Sequence, residues 1–423
     1  MKVLHISTSD DGGAGLCALR IHKSLIGMGV DSKMIVANKT SDLPTVYKSE
    51  ISIAKEYTPP KNVFLQKYKS FMRRKGFYLS KLEYYQRQID KCAHSLKNKG
   101  IDSPFYTYPL SKYEIHLNPL VNWADIIHIH WVANFIDYPS FFCNIDKPIV
   151  WTFHDENIGM GGFHYRRDKD KYYAEYRLIE DELCRIKRES LFNINTHHFC
   201  AIALSKEMKK FLSDLVFLPT DNCRIINNSV DIYKYRILDK KYAREVLGIP
   251  YNHIVFSFCA NSLNDSRKGL VELIEALERL KLSNITLLCI GSGYIPCKTA
   301  LNTISVGRIF NEDILSMLYS CSDYFVMPSF QEAFAQTPIE AMACGVPVIA
   351  FPCSGTEELI TNNNGIRCSD FTVDSLFNGI CKAIDNNYSS ENIRMDIIER
   401  FSPSVIANQY INVYNDILSN NLS

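Results

Sequence analysis

No charge of one sign dominates this sequence: 47 lysines and arginines stand against 46 aspartates and glutamates, a formal net charge of +1. No nucleic-acid partner is expected, because phosphate backbones are bound by clustered positive charge. The fourteen cysteines include no C-x-x-C pair and lie scattered in apolar stretches such as "LLCIG" and "FSFCAN". That excludes a zinc ribbon or a dithiol redox centre and suits reduced, buried thiols. No apolar run approaches the roughly 18 residues that span a bilayer, and the N-terminus "MKVLHISTSDDGGAG" lacks the sustained apolar core of a secretory signal. The expected location is cytoplasmic, with any membrane contact made from the inner face.

What is present is a repeating grammar. A chain of 423 residues exceeds what one hydrophobic core usually supports, so two domains are expected. Apolar runs of strand length recur, each followed by a turn and a segment of helical period. They are "KVLHIS" (2–7), "SKMIVA" (32–37), "DIIHIHW" (125–131), "PIVWTF" (148–153) and "FCAIALS" (199–205) in the first half. The second half has "HIVFSFCA" (253–260), "ITLLCIG" (285–291), "YFVMPS" (324–329) and "VPVIAF" (346–351). Strands this apolar, alternating with helices, predict parallel sheets covered on both faces, hence two doubly wound α/β domains. The polar stretch between Asp231 and His253 suits the join. The boundaries are thus 1–230, 231–402 and a terminal amphipathic helix over 403–423, with Ile406, Tyr410, Val413, Tyr414 and Ile417 on its apolar side.

One region breaks the pattern. Between Lys61 and Lys99 eleven lysines and arginines, among them Arg73, Arg74 and Lys75, face only Glu83 and Asp90 and alternate with aromatic residues. Such a basic, aromatic helical insertion can lie on an anionic membrane surface. The plainer expectation is a solvated insertion whose aromatics pack on the domain.

The stretch "SFQEAFAQTPIEAMACGVPVIAF" (329–351) keeps two carboxylates, Glu332 and Glu340, in an apolar setting. Thr337-Pro338-Ile339-Glu340 has the form of a capped helix start, with Thr337 as N-cap and Glu340 reaching back to it. Gly345 and Pro347 end that helix after about two turns. Glu332 has no structural role of this kind. It lies in a loop at the carboxyl edge of a parallel sheet, beside the amides of Ala335, Gln336 and Thr337 at a helix N-terminus. A carboxylate next to an amide cradle suits a sugar with an attached phosphate.

The segment "PSFQEAFAQTPIEAMACGVPVIAF" resembles the Glu-x7-Glu signature of family 4 glycosyltransferases. The resemblance continues in order through "GGAG" (12–15), "DIIHIHW", "TFHDENIGMGGFHY" (152–165), "NNSVD" (227–231), "SRKGL" (266–270), "VGRI" (306–309), "LYSCSDYFVMPS" (318–329) and "SGTEELI" (354–360). It implies the GT-B fold: two Rossmann-like domains facing across a cleft, the C-terminal helix docking back on the N-terminal domain. It further implies that Glu332 faces the donor sugar, Glu340 binds the nucleotide ribose, and Arg267 and Lys268 hold the diphosphate. His154 would lie beside the transferred sugar and Asp155 near the acceptor. Gly12, Gly13 and Gly15, in a loop ahead of a helix expected from about Leu16, would face the donor phosphates and acceptor. The implied co-substrate is a UDP- or GDP-sugar, the acceptor a glycan or a lipid-linked glycan of surface polysaccharide biosynthesis, the outcome retention, and no metal or other cofactor is required. Phe163, where some relatives have cysteine, argues against a metal-bound loop. His128 and His130, on one face of a strand, read as packing or acceptor-side residues.

Other readings make distinct demands. A metal-dependent transferase would use an Asp-x-Asp pair, but Asp168-Lys169-Asp170 lies in a charge-dense segment that reads as solvated helix. A dehydrogenase would need an acidic ribose ligand where Ala37-Asn38-Lys39 stand. A nucleotide-sugar epimerase of the same architecture, or a non-catalytic partner subunit, would keep the donor site and differ in turnover.

Overall fold

The computed structural model describes residues 1–50, 80–192, 194 and 198–419. Two compact units emerge, one comprising residues 1–202, 211–224 and 413–423, the other 203–210 and 225–412.

In the first unit a seven-stranded sheet has the order β3-β2-β1-β4-β5-β6-β7. Its strands are β1 (Lys2–Ser9), β2 (Asp31–Asn38), β3 (Val46–Lys48), β4 (Ile126–Ile129), β5 (Ile149–Phe153), β6 (Phe199–Ala203) and β7 (Cys223–Ile225). The pairs β1–β2, β1–β4, β2–β3 and β4–β5 are parallel. Val3, Leu4, Ile6, Ile126, Ile127, Ile129 and Val150 have essentially no exposed surface, as strands covered on both faces require. The strand order reverses between β1 and β4, so the loops leaving those two strands border the crevice where doubly wound sheets bind ligands.

The second unit repeats this plan with six strands in the order β10-β9-β8-β11-β12-β13. They are β8 (Ile254–Ser262), β9 (Ile285–Ser292), β10 (Asn302–Ser305), β11 (Tyr324–Met327), β12 (Val348–Ala350) and β13 (Gly365–Arg367). All adjacent pairs are parallel. Its core runs from Phe256 and Leu287 through Ile349 to Leu376 and Ile380. Here the order reverses between β8 and β11, which places the loops after Ser262 and after Met327 side by side.

The terminal helix Pro403–Ser419 buries Ile406, Tyr410, Val413, Tyr414 and Ile417. Its residues from Val413 onward count with the first unit, where the Tyr414 hydroxyl meets His128 Nδ1 at 2.7 Å.

Of the basic segment 61–99, residues 61–79 lie outside the described residues, and with them Arg73, Arg74 and Lys75. The remainder forms the helix Lys81–Asn98, capped by Ser80 and Glu83 in a reciprocal capping box. Its Tyr85, Ile89 and Leu96 are buried in a cluster with Phe163, Tyr176 and Leu183. This part of the insertion therefore packs its apolar face on the domain. Among the described residues no helix is long and apolar enough to cross a membrane.

Candidate functional site

The predicted residues fall into two sets, one in each unit. In the second unit, the turn after β8 and the loop after β11 are stitched together. Asp265 accepts from the Arg267 amide at 3.0 Å and pairs with its guanidinium at 3.0 Å. Arg267 Nη1 donates to the Gln331 carbonyl at 3.1 Å, and the Phe330 amide donates to the Arg267 carbonyl at 2.9 Å. Lys268 Nζ then lies 2.5 Å from Glu332 Oε1. Gly269 makes this approach feasible. Its φ is +74°, and a Cβ there would lie 2.0 Å from the Pro328 carbonyl oxygen.

Burial alone would raise the Glu332 pKa, but the Lys268 and Arg267 charges, with hydrogen bonds from Lys268 and Ser329, hold it below the usual glutamate range. The site therefore presents an ionised carboxylate and two cations. The rest of the loop is gripped from behind: Ser354 Oγ donates to the Ala333 carbonyl at 3.0 Å and Asn228 Nδ2 to that of Phe334 at 3.3 Å. Gly355, at φ +83°, leaves room for the Phe334 ring, which a Cβ would meet at 2.6 Å. Thus the "NNSVD", "SRKGL" and "SGTEELI" segments converge on one loop.

The helix that follows runs Gln336–Ala343 with Ala335 as N-cap and no side-chain cap. This corrects the expected capping box. Helical backbone begins two residues before Pro338, so Thr337 is already inside the helix and Glu340 is past its first turn. Proline is tolerated at the third position because the first helical amides have no intrahelical acceptor. Glu340 is nevertheless buried, 4% exposed, with the Tyr319 hydroxyl 3.4 Å from Oε2. Gly345 ends the helix as expected, at φ +76° with its amide on the Met342 carbonyl and that of Val346 on Ala341.

In the first unit the helix Gly12–Gly27 starts four residues earlier than expected from Leu16. Gly12 takes a φ of +69°, and a Cβ on Gly15 would lie 2.6 Å from the Ser9 carbonyl. The first turn hence sits tight against the end of β1, with Gly12 and Gly13 exposed.

His154 and Asp155 leave β5 at the same edge. Asp155 Oδ2 accepts from Trp131 Nε1 at 2.7 Å and pairs with His164 Nδ1 at 2.5 Å, while Oδ1 accepts from the Asn157 amide at 3.0 Å. Burial raises the Asp155 pKa, but His164 and these hydrogen bonds outweigh it, and the carboxyl stays below its ordinary range. The loop it anchors is clamped from below by the helix Arg166–Leu191. Glu180, fully buried, accepts from the amides of Gly161 and Gly162 at 2.8 Å each and from the Tyr106 hydroxyl at 2.9 Å. Lys187 Nζ donates to the carbonyls of Asn157 at 2.6 Å and Met160 at 2.8 Å. Asp168 and Asp170 sit at the start of this helix. A cavity of about 650 Å³ beside them, lined by Lys169, Asp170, Tyr173 and Arg185, contains no predicted site residue.

Behind His154 runs a row of buried imidazoles. His5 pairs in register with His128. His5 Nδ1 lies 2.9 Å from His130 Nε2, and His130 Nδ1 lies 3.3 Å from His154 Nε2. Burial pushes the His154 pKa down to about 4, against an opposing pull from Asp155, and drives those of His5, His128 and His130 well below the ordinary range. Sequence reasoning missed His5, Glu180 and Lys187. The alternation "HIH" places His128 and His130 on one face, but that β1 brings His5 against them follows only from strand order.

Comparison with known proteins bears on the fold and the family. Residues 254–386 match the family model described as Glycosyl transferases group 1. An uncharacterized glycosyltransferase of Methanocaldococcus jannaschii is 26% identical over 315 residues, which covers 70% of this chain and 76% of that protein. The O-antigen biosynthesis glycosyltransferase WclY of Escherichia coli is 29% identical over 212 residues, 48% of this chain and 58% of its own length. Among solved structures, Anabaena HepE in complex with UDP-glucose superposes with a TM-score of 0.63 at 16% identity, covering 98% of this chain and 99% of that one. The fold is that of the GT-B glycosyltransferases.

Proposed function

We propose that this relative of the group 1 glycosyltransferases transfers a hexosyl unit from a UDP- or GDP-sugar to a glycan or lipid-linked acceptor in surface polysaccharide biosynthesis, with retention of anomeric configuration. The observation that carries the reading is the cluster of Arg267, Lys268 and Glu332 where the second sheet's strand order reverses, inside the segment matching the family. Departure of a nucleoside diphosphate concentrates negative charge on phosphate oxygens. Two fixed cations and the amides of Ala335, Gln336 and Thr337 are suited to receive it. Glu332, ionised by its neighbours, has a second oxygen for donor-sugar hydroxyls, and Glu340 suits the nucleotide ribose.

In the first unit His154 is assigned to the transferred sugar, and the exposed amides of Gly12 and Gly13, with Gly15 holding the turn, to phosphate or hydroxyl oxygens. Asp155 is assigned to the acceptor side, where it orders the loop over 155–164. Positive charge comes from side chains in this scheme, so turnover is expected without added divalent metal. The O-antigen role named for the E. coli relative supports the pathway, and the UDP-glucose bound by the Anabaena protein supports the donor class. An anionic membrane surface is proposed as the setting for a lipid-linked acceptor.

The test is nucleotide release from a panel of UDP-, GDP- and ADP-sugars in the presence of chelator, with Glu332→Ala and Lys268→Ala as controls. Release from one donor, lost in both variants, supports the assignment. Isomerisation of the sugar without any acceptor would instead identify an epimerase, and donor binding without turnover on any acceptor a partner subunit. The anomeric signal of the product in a proton NMR spectrum decides retention.

A further inference from the structure

The imidazole row behind His154 has a direction. A neutral imidazole carries one N–H and one bare nitrogen, so a bond between two neutral imidazoles fixes the tautomer of each from the other. His5, His130 and His154 are linked by two such bonds, His5 Nδ1 to His130 Nε2 and His130 Nδ1 to His154 Nε2. Only two arrangements satisfy both.

If protons point inward, from His154 toward His5, the last proton sits on His5 Nε2. Among the described residues that atom is buried and has no hydrogen-bond partner. If protons point outward, His5 Nε2 is a bare lone pair instead, and His154 carries its proton on Nδ1. A buried N–H without an acceptor is rarer and more costly than an under-used acceptor. The outward arrangement therefore prevails.

We propose that His5 and His130 are positioning residues that hold His154 as the neutral Nδ1–H tautomer, a hydrogen-bond donor to a substrate hydroxyl or phosphate oxygen at the carboxyl edge of the first sheet. The role given to that oxygen rests on the proposed glycosyl transfer; the tautomer does not. The groups that face this row are His22 from the helix Gly12–Gly27, itself held by Ser32 and Thr45, His128 from β4, Tyr414 from the terminal helix, and Asp155 beside His154. No buried cation or carboxylate of this set lies against His5 or His130, consistent with uncharged rings.

A metal centre is the alternative use for such a cluster, since His5, His128 and His130 bring ligand atoms within 4.8 Å of one another. The ring arrangement speaks against it. His5 and His130 lie edge to edge, centroids 5.2 Å apart and planes 19° from parallel, so His5 Nδ1 and His130 Nε2 point at each other, and His128 leans over His130 with centroids 4.1 Å apart. Both His128 nitrogens are also engaged, with Tyr414 Oη at 2.7 Å and Thr152 Oγ1 at 2.8 Å.

The direct test is ¹⁵N NMR of the full chain labelled at histidine, with His154→Ala to assign its signals. At pH 7, protonated Nδ1 and bare Nε2 on His154 are the expected result. An Nε2–H tautomer, an imidazolium, or loss of the His5, His128 and His130 signals to a stoichiometric zinc ion would each overturn the proposal. The wild-type spectrum decides it even where variants fold poorly. In kinetics, His5→Leu is expected to lower kcat about tenfold with KM little changed, the size of one hydrogen bond in the transition state. His5→Asn, whose amide can replace the Nδ1–H donor, should restore most of it; equal loss in both variants would contradict a tautomer effect. A correct tautomer in a protein that binds no donor would reject the glycosyltransferase reading and leave the tautomer assignment standing.

Discussion

Lys268 Nζ and Glu332 Oε1 lie 2.5 Å apart although 64 residues separate them in the chain, because the turn after β8 and the loop after β11 are neighbours only where strand order reverses. Each charge stabilises the other, and each is mostly shielded from water. Removing Lys268 leaves Glu332 with only Arg267 and Ser329 to offset its burial.

Lys268→Ala is expected to reduce kcat/KM for the donor by about ten- to a hundredfold, the range of one charge-assisted hydrogen bond. Glu332 should meanwhile titrate at higher pH than in the wild type. Because the folded pKa of Glu332 is depressed, its stabilising contribution is complete above the ordinary glutamate value of about 4.3 and disappears as pH falls through the lower folded value. Thermal unfolding between pH 6 and pH 3, compared between wild type and Lys268→Ala, checks this. An identical acid limb in both would show that the pair is not coupled.

Gly269→Ala tests the contact that makes the pair. The left-handed φ alone costs an alanine about 1–2 kcal/mol, and its Cβ would overlap the Pro328 carbonyl. The melting temperature should fall by at least about 2 °C, and donor affinity should fall with it as the two loops part. Full affinity at an unchanged melting temperature would contradict the approach described.

Glu180→Ala strips the Gly161 and Gly162 amides of their buried acceptor, at a cost of at least about 2 kcal/mol. Glu180→Gln keeps one oxygen and should cost clearly less. Limited proteolysis of the loop over 155–164, read by mass spectrometry, should show faster cleavage in the order Ala, Gln, wild type. Equal rates would mean that the clamp does not order the loop.

Tyr414→Phe removes the buried hydroxyl on His128 and is expected to cost about 1 kcal/mol. Hydrogen exchange along the terminal helix should accelerate from Val413 onward. Exchange unchanged over that part would show that the contact does not hold the helix end.

Much of this was legible in the residues. Every interior strand of both sheets coincides with an apolar run, and the order of those runs with helices between them sufficed for the α/β class. The four strands that escaped, β3, β7, β10 and β13, are the outer strands of the two sheets. Each has three or four residues and is partly exposed, so none shows a long apolar run. The helix start at Gln336 was misplaced by a cap motif that sequence alone makes plausible. Local rules rank Thr337 as the better N-cap, whereas the tightly held loop over 328–335 delivers the chain into helix two residues sooner.

The linear sequence by itself determined which segments are buried and in what order they come, because hydrophobic period and turn residues act over a few neighbours. Only the tertiary structure decided which charges meet. Lys268 with Glu332, and His5 with His130 and His154, are brought together by parallel crossovers, while Glu180 meets the glycine amides where its helix folds back under the loop before it. A crossover joins residues across sheet neighbours, and no spacing along the chain encodes which strands will be adjacent.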